Sequence, residues 1–194
     1  MLSVPRLWRW LAVVFFLSFG ALGLVGREIY LSKPPIPTQV ISANGDVLYT
    51  AAQIEHGQEA WRAAGGQQLG TVWGHGSYVA PDWSADWLHR EALALREIWA
   101  QKDFRKAYAE LNVEQQAMLS ARLKTELRRN SYDPDSGVLF VSDARAQAMR
   151  QVAAHYIGLF GAEPALDGLR EQYAMTVNAL GNADDRTALA GFFF

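Results

Sequence analysis

Hydrophobic and polar positions follow two regimes along the chain. From Trp10 to Gly26 there is no charged residue, a run of 17 positions bounded by Arg9 and Arg27. As a helix this run rises about 25 Å, near the lower limit for crossing a bilayer. Leu7 and Trp8 extend it if Arg9 reaches back to the headgroups. Beyond the stiff, extended Lys33-Pro34-Pro35-Ile36-Pro37 the pattern changes to short periodic stretches. QVISANGDVLYT alternates and turns at Asn44-Gly45, which predicts a small hairpin. Thr50 with Gln53 forms a capping box for a helix, AAQIEHGQEAWRAA, closed by Gly65-Gly66.

A second helix is expected from Ser84 to Tyr108, with Trp87, Glu91, Leu95 and Ile98 on one face. Asn112 and Gln115 cap a third that ends near Asn130. Tyr132 to Gly137 reads as a turn, and Val138 to Val141 as a strand that pairs with the hairpin. Ser142 opens a fourth helix, interrupted at Gly161 and Pro164, and a fifth is expected from Leu166 to Leu180. Asn182 to Asp185 caps the last stretch of the chain. LAGFFF then carries three phenylalanines and no polar tail, which predicts the start of another apolar segment. The expected division is 1–32 as a transmembrane helix with its flanks, 33–185 as a mainly α domain with a small β-hairpin, and 186–194 as that further segment.

Charge orients the first segment. Arg6 and Arg9 precede it, which favours an N-terminus in the cytoplasm and the following chain outside. A cleaved signal peptide, with Ala21-Leu22-Gly23 as the cleavage site, is the competing reading. From Pro34 onward, 14 basic and 19 acidic residues give a net charge of -5, with no basic run suited to nucleic acid. The chain has no cysteine, which excludes disulfides, thiolate metal sites, Cys-x-x-Cys redox pairs and thioether-linked haem.

Candidate chemistry concentrates in VWGHGSYVAPDWSADWLHRE, residues 72–91. His75 and His89 lie among Asp82, Asp86 and Glu91, but zinc needs three or four convergent ligands and this spacing forces none. His75 reads as a loop histidine bonded to backbone or carboxylate, and Gly74 and Gly76 as tight backbone that turns carbonyls outward, where a hard cation would accept them. Asp82 reads as a helix cap, Asp86 as a first-turn charge, and Glu91 and Glu97 as solvated face residues. A carboxylate hydrolase built on Asp82, Asp86 or Glu91 would also need a substrate cleft. Trp61, Trp73, Trp83, Trp87 and Trp99 allow two readings, an aromatic core or a surface for a partner or headgroup layer.

WGHGSYVAPDWSADWLHRE is preceded by GREIY, PPIP, the Asn-Gly hairpin and GQEAWRAAGGQQLGTVWGHG. In that order the chain resembles the N-terminal part of the single-chain, quinol-dependent nitric oxide reductases of the haem-copper oxidase superfamily, from about Gly26 to the final phenylalanines. The resemblance implies a bacterial inner-membrane enzyme that reduces two nitric oxide molecules to nitrous oxide and water with quinol electrons. It implies a first transmembrane helix, a periplasmic domain of cytochrome c-like fold, and a helical core beyond it holding haem b, haem b3 and non-haem iron. The partners so implied are the bilayer, the remaining transmembrane core and, through that core, quinol.

Cytochromes c commonly carry Gly-x-x-x-aromatic-x-x-x-Cys-x-x-Cys-His. Here Gly57 and Trp61 match the first two positions, while Gly65, Gln68 and Leu69 stand where the cysteines and the ligating histidine would be. The resemblance therefore implies a domain without haem c, its space filled by Trp61 and other bulky side chains, and no catalytic or cofactor-binding residue in this chain. It also places Gly76 and Tyr78 at a seam with the helical core, their backbone carbonyls offered to calcium together with groups from that core; beside them, His75 is read from its place in the loop as supporting it. Trp73, Asp82, Trp83 and Trp87 take structural roles. An independent, anchored periplasmic binding or scaffold module, using its tryptophans for a partner, is the alternative.

Overall fold

The structure, a computed structural model, describes residues 4–32 and 34–194. Met1 to Ser3, and Lys33 of the expected stalk, lie outside the described residues. The chain divides into two compact units, Met1–Pro35 and Ile36–Phe194.

The first unit is one helix, α1 (Val4–Leu31), 28 residues long, with a mean hydropathy of 1.8 over its most apolar stretch. At 1.5 Å per residue it extends about 42 Å, enough to cross a membrane. It outruns the uncharged segment because Arg6, Arg9, Arg27 and Glu28 are helix-compatible and sit at its ends, where charge reaches the headgroups. None of its residues is buried in the protein.

The second unit begins with β1 (Gln39–Ser42) and β2 (Val47–Thr50), the expected hairpin, with Gly45 in the left-handed region at φ 90°. The sheet is larger than a hairpin. β3 (Tyr132–Asp133) and β4 (Val138–Val141) complete it in the order β2-β1-β4-β3, and β1 runs parallel to β4. Val40 and Val141 point into the core, as alternation along each strand requires.

Helix α2 (Ala51–Ala63) starts at the Thr50–Gln53 capping box and buries Ile54, Gly57 and Ala60 along one stripe. α3 (Trp83–Phe104) buries Trp83, Trp87, Glu91, Leu95 and Trp99 at four-residue spacing. It stops at Arg105, a left-handed cap at φ 55°, a few residues short of the expected end. α4 (Val113–Arg128) is capped by Asn112 and Gln115, and α5 (Asp143–Leu159) by Ser142. Leu95, Trp99, Leu111, Leu119, Leu123 and Ala148 form a small cluster where α3, α4 and α5 meet. The larger core joins the sheet, α2, the start of α3, α5 and the last helix.

Two expectations change at the C-terminal end. The fifth helix is short, α6 (Asp167–Gln172), not Leu166 to Leu180. The amides of Asn178 and Leu180 donate to the carbonyls of Gly161 and Phe160, so this segment closes the end of α5 and is not free to coil. Buried Arg170 ties the turn together, donating to the carbonyls of Gly158, Leu159 and Glu163 and to Asp167. The boundary expected at residue 185 falls inside α7 (Ala183–Phe193), which Asn182 caps. Ala188, Leu189, Ala190, Gly191 and Phe193 of α7 are buried, so its apolar face is consumed within the domain. Phe193 is a core residue here and Phe192 and Phe194 pack partly buried against the core, because α7 lies across α2 and α5.

Candidate functional site

The loop from Gly70 to Trp83 is built around one carboxylate. Asp82 caps α3 through the amide of Ala85 at 3.0 Å, as the sequence suggests, but it does more. Its second oxygen accepts the Thr71 hydroxyl at 2.7 Å and the amide of Gly74. The Thr71 oxygen in turn accepts the amide of Gly76 at 2.8 Å. Trp83 N donates to Thr71 O at 2.8 Å and Thr71 N to Pro81 O, so the loop's two ends are stitched as a short bridge. Burial alone would raise the pKa of Asp82, but the bonds from Thr71, Gly74, Ala85 and Ser84 outweigh it and hold the carboxyl below the ordinary range. Ser77 and Ala80 close the tip, Ser77 N donating to Ala80 O at 2.9 Å.

Glycine is required at two points of this loop. A β-carbon at Gly70 (φ 109°) would meet the Trp83 indole nitrogen at 2.5 Å, and Gly76 sits at φ 81°. Trp73 also holds a positive φ, 55°, which costs a residue with a β-carbon roughly 1–2 kcal/mol. Its amide bonds the Ser84 hydroxyl at 3.3 Å while its ring stays 81% exposed. Tyr78 is fully exposed. The carbonyls of Gly76 and Tyr78 accept no hydrogen bond among the described residues. Calcium takes six to eight oxygens, so these two carbonyls offer a fraction of a shell. The ring of His75 is exposed and makes no bond to backbone or carboxylate among the described residues, contrary to its expected role as a bonded loop histidine. His75, His89, Asp82, Asp86 and Glu91 do not converge; among the described residues no three His, Cys, Asp or Glu side chains group as metal ligands.

The tryptophans divide between the two readings. Trp83, Trp87 and Trp99 are core residues at 2% exposure or less, whereas Trp73 is surface. Trp83 stacks on Phe193 at 5.4 Å between centroids and meets Phe160, Tyr173 and Tyr156 edge-on. Trp87 stacks on Tyr156 at 5.6 Å. Trp99 carries the Arg122 guanidinium 4.3 Å over its ring. The indole N–H groups of Trp61, Trp83, Trp87 and Trp99 are buried without an acceptor among the described residues, so ring bulk and ring contacts hold them in place at a desolvation cost.

Two carboxylates have partners on α5 that local spacing did not announce. Asp86 accepts Arg90 Nε and the Tyr156 hydroxyl, both at 2.7 Å, joining α3 to α5. Next to them burial, then the charge of Arg90, depress the pKa of His155 to about 4, with Asp86 opposing. Glu91 is 1% exposed, not a solvated face residue, and pairs with Arg145 Nε at 2.6 Å. Its place on the Trp87-Glu91-Leu95 stripe was the available signal, since a charge on a buried stripe requires a partner. Glu97 is the exposed one and accepts the amide of Tyr108.

Gly57 and Trp61 sit where α2 crosses α7. A β-carbon on Gly57 would lie 2.1 Å from the carbonyl oxygen of Ala188, and Trp61 meets Phe192 at 5.9 Å. After α2 the chain turns through Gly65 (φ 123°) and Gly66 (φ 56°) into a short 3₁₀ turn, Gly66–Leu69. Leu69, at the position of a haem-ligating histidine, packs against the main core. These residues do not fit a covalently held haem: there is no thiol, an alkyl side chain stands at the ligand position, and Trp83, Tyr156, Phe160 and Phe193 fill the interior.

No curated protein matches the chain. Residues 37–194, the whole second unit but its first residue, match the family of the cytochrome c-like domain of the nitric oxide reductase NorB. With a mainly helical unit whose first and last helices cross at a glycine, with no cysteine, and with a membrane-length helix ahead of it, the chain belongs to the family of NorB cytochrome c-like domains of nitric oxide reductase.

Proposed function

We propose that this chain is a non-catalytic portion of a quinol-dependent nitric oxide reductase, which anchors in the membrane and packs against the haem-bearing core. Residues 1–32 cross the bacterial inner membrane with the N-terminus in the cytoplasm, and the second unit stands in the periplasm. Electrons from quinol reach haem b, haem b3 and non-haem iron within the membrane core, so this unit carries none. The observation that bears most weight is the substitution of the haem-attachment positions by Gly65, Gln68 and Leu69 in a helix frame that keeps Gly57 and Trp61. A domain that keeps the packing residues and lacks the redox ones is suited to structure.

The loop around Asp82 is the docking element in this reading. It is stiffened internally by Thr71, Gly74 and Gly76 and projects Trp73 and Tyr78 outward. Gly76 and Tyr78 contribute backbone carbonyls to a calcium ion completed by oxygens of the core, and His75 lies at its edge. A second reading, an independent anchored binding module, draws on the same exposed Trp73 and Tyr78.

The test is quinol-driven nitric oxide consumption by membranes of cells expressing the encoding gene. Consumption that is lost on deleting the gene, together with no activity in the purified 194-residue chain, supports the proposal. Nitric oxide turnover by that purified chain would overturn the non-catalytic role, and no consumption by the membranes would favour the binding module.

A further inference from the structure

Beside the loop lies a cavity of about 490 Å³, lined by Trp73, Trp87, Leu88, Phe193 and Phe194 and, on its polar side, by Asp82, Glu91 and Arg145. Its volume falls in the range of small-ligand pockets, and aromatic walls with few polar groups are the usual lining of one. The charges do not cancel. Arg145 is committed to Glu91 through Nε at 2.6 Å, and its guanidinium carbon lies 6.0 Å from the Phe194 ring. Asp82, held below the ordinary carboxylate range by its hydrogen bonds, leaves the lining with a net charge of -1, from two carboxylates and one guanidinium. Glu91 is 1% exposed, and among the described residues Arg145 alone donates to it, through one of its two oxygens. The other oxygen has no donor among the described residues and is open to one from the cavity.

We propose that this cavity is a binding site for an organic monocation, an ammonium or guanidinium group carried on an apolar body. The exposed ring of Trp73 attracts such a charge through its quadrupole, while Trp87 and Phe194 line the apolar side. Glu91 offers the free oxygen and Asp82 the unbalanced charge. Trp73, exposed and held at φ 55° at the rim, forms the outer wall. The same chemistry arrives as a free amine or as a lysine side chain on a neighbouring segment.

The test uses the complete 194-residue chain in nanodiscs, with indole ¹⁵N–¹H resonances of Trp73 and Trp87 as the readout. Benzylammonium, benzyl alcohol and benzoate are titrated as cation, neutral isostere and anion, and a blocked lysine amide is titrated in parallel. The expected result is saturable shifts at both indoles, with the cation bound about fivefold or more tighter than the alcohol and benzoate weakest. Trp73→Asn, which tolerates the left-handed backbone, should weaken the cation by about fivefold. Leu88→Lys at the exposed rim should weaken it further and Leu88→Glu strengthen it, both more so at low salt. Saturation by the blocked lysine amide, with the same response to Leu88→Lys, assigns the site to a protein side chain; saturation by benzylammonium alone assigns it to a free amine. Equal binding of the three aromatic probes, preference for benzoate, or no saturable shift with any cation would overturn the proposal and leave a water-filled cavity.

Discussion

The α-carbon of Gly57 lies so close to α7 that a β-carbon there would sit 2.1 Å from the carbonyl oxygen of Ala188 and 2.7 Å from Cβ of Phe192. The contact has a counterpart on the other helix. A β-carbon on Gly191 would meet the Tyr49 ring at 2.7 Å, so α7 is clasped between α2 and the hairpin with a glycine at each approach.

Gly57→Ala tests the crossing cleanly. In an open helix the change would stabilise by about 1 kcal/mol. Here the overlap is with backbone, which cannot rotate away, and overpacking of this kind costs about 1–3 kcal/mol. We expect a net loss of up to about 2 kcal/mol and a lower Tm by circular dichroism, whereas Gly20→Ala in α1, with open space around it, should leave the second unit unchanged.

Asp82 and Thr71 act as one unit. Thr71→Val keeps the shape and removes both the hydroxyl given to Asp82 and the oxygen that accepts Gly76 N. The expected outcome is faster amide exchange at Gly74 and Gly76 and a loss of about 1–2 kcal/mol. Since the folded pKa of Asp82 lies below its unfolded value, its contribution is present above the ordinary carboxylate pKa and is lost as pH falls through the folded value. Thr71→Val should move that acid limb to higher pH.

Much of the architecture is legible along the chain because local chemistry fixes it. Thr50–Gln53, Asn112–Gln115 and Ser142 cap the helices that they announce, and Asn44-Gly45 makes its turn. What is not legible depends on distant partners. Glu91 looks solvated until Arg145, 54 residues later, lies against it. Met175 to Leu180 continues a helical pattern, but the amides of Asn178 and Leu180 are taken by the carbonyls of Gly161 and Phe160, just past α5. LAGFFF has the composition of a membrane segment, and its close approach to Gly57 and Tyr49 is not announced by its own residues.

Glu91→Gln leaves Arg145 facing a neutral partner in a desolvated site, and the expected loss is about 3 kcal/mol. Glu91→Leu combined with Arg145→Met removes both charges and should recover most of that stability. Urea unfolding of the wild type, Glu91→Gln and the double variant makes the comparison. If the double variant is no more stable than the single one, the pair holds α3 to α5 by more than charge.

His155 gives the molecule a second acid sensitivity. Its pKa is near 4 when folded, against about 6.5 for an unperturbed histidine, so the unfolded chain binds the extra proton between those values. Its contribution is complete above about pH 6.5 and declines as pH falls toward 4. His155→Phe should flatten the stability profile in that window, and histidine Cε1–H shifts should report its low titration point.

Haem content of the chain tests the central claim most directly. The 194-residue chain is co-expressed with the haem c maturation machinery, purified, and examined for covalently bound haem by its Soret band and by haem-stained denaturing gels. The account predicts no Soret absorption and no haem-stained band, because Gly65, Gln68 and Leu69 supply neither thiol nor ligand. A covalent haem at near-stoichiometric amount would contradict it.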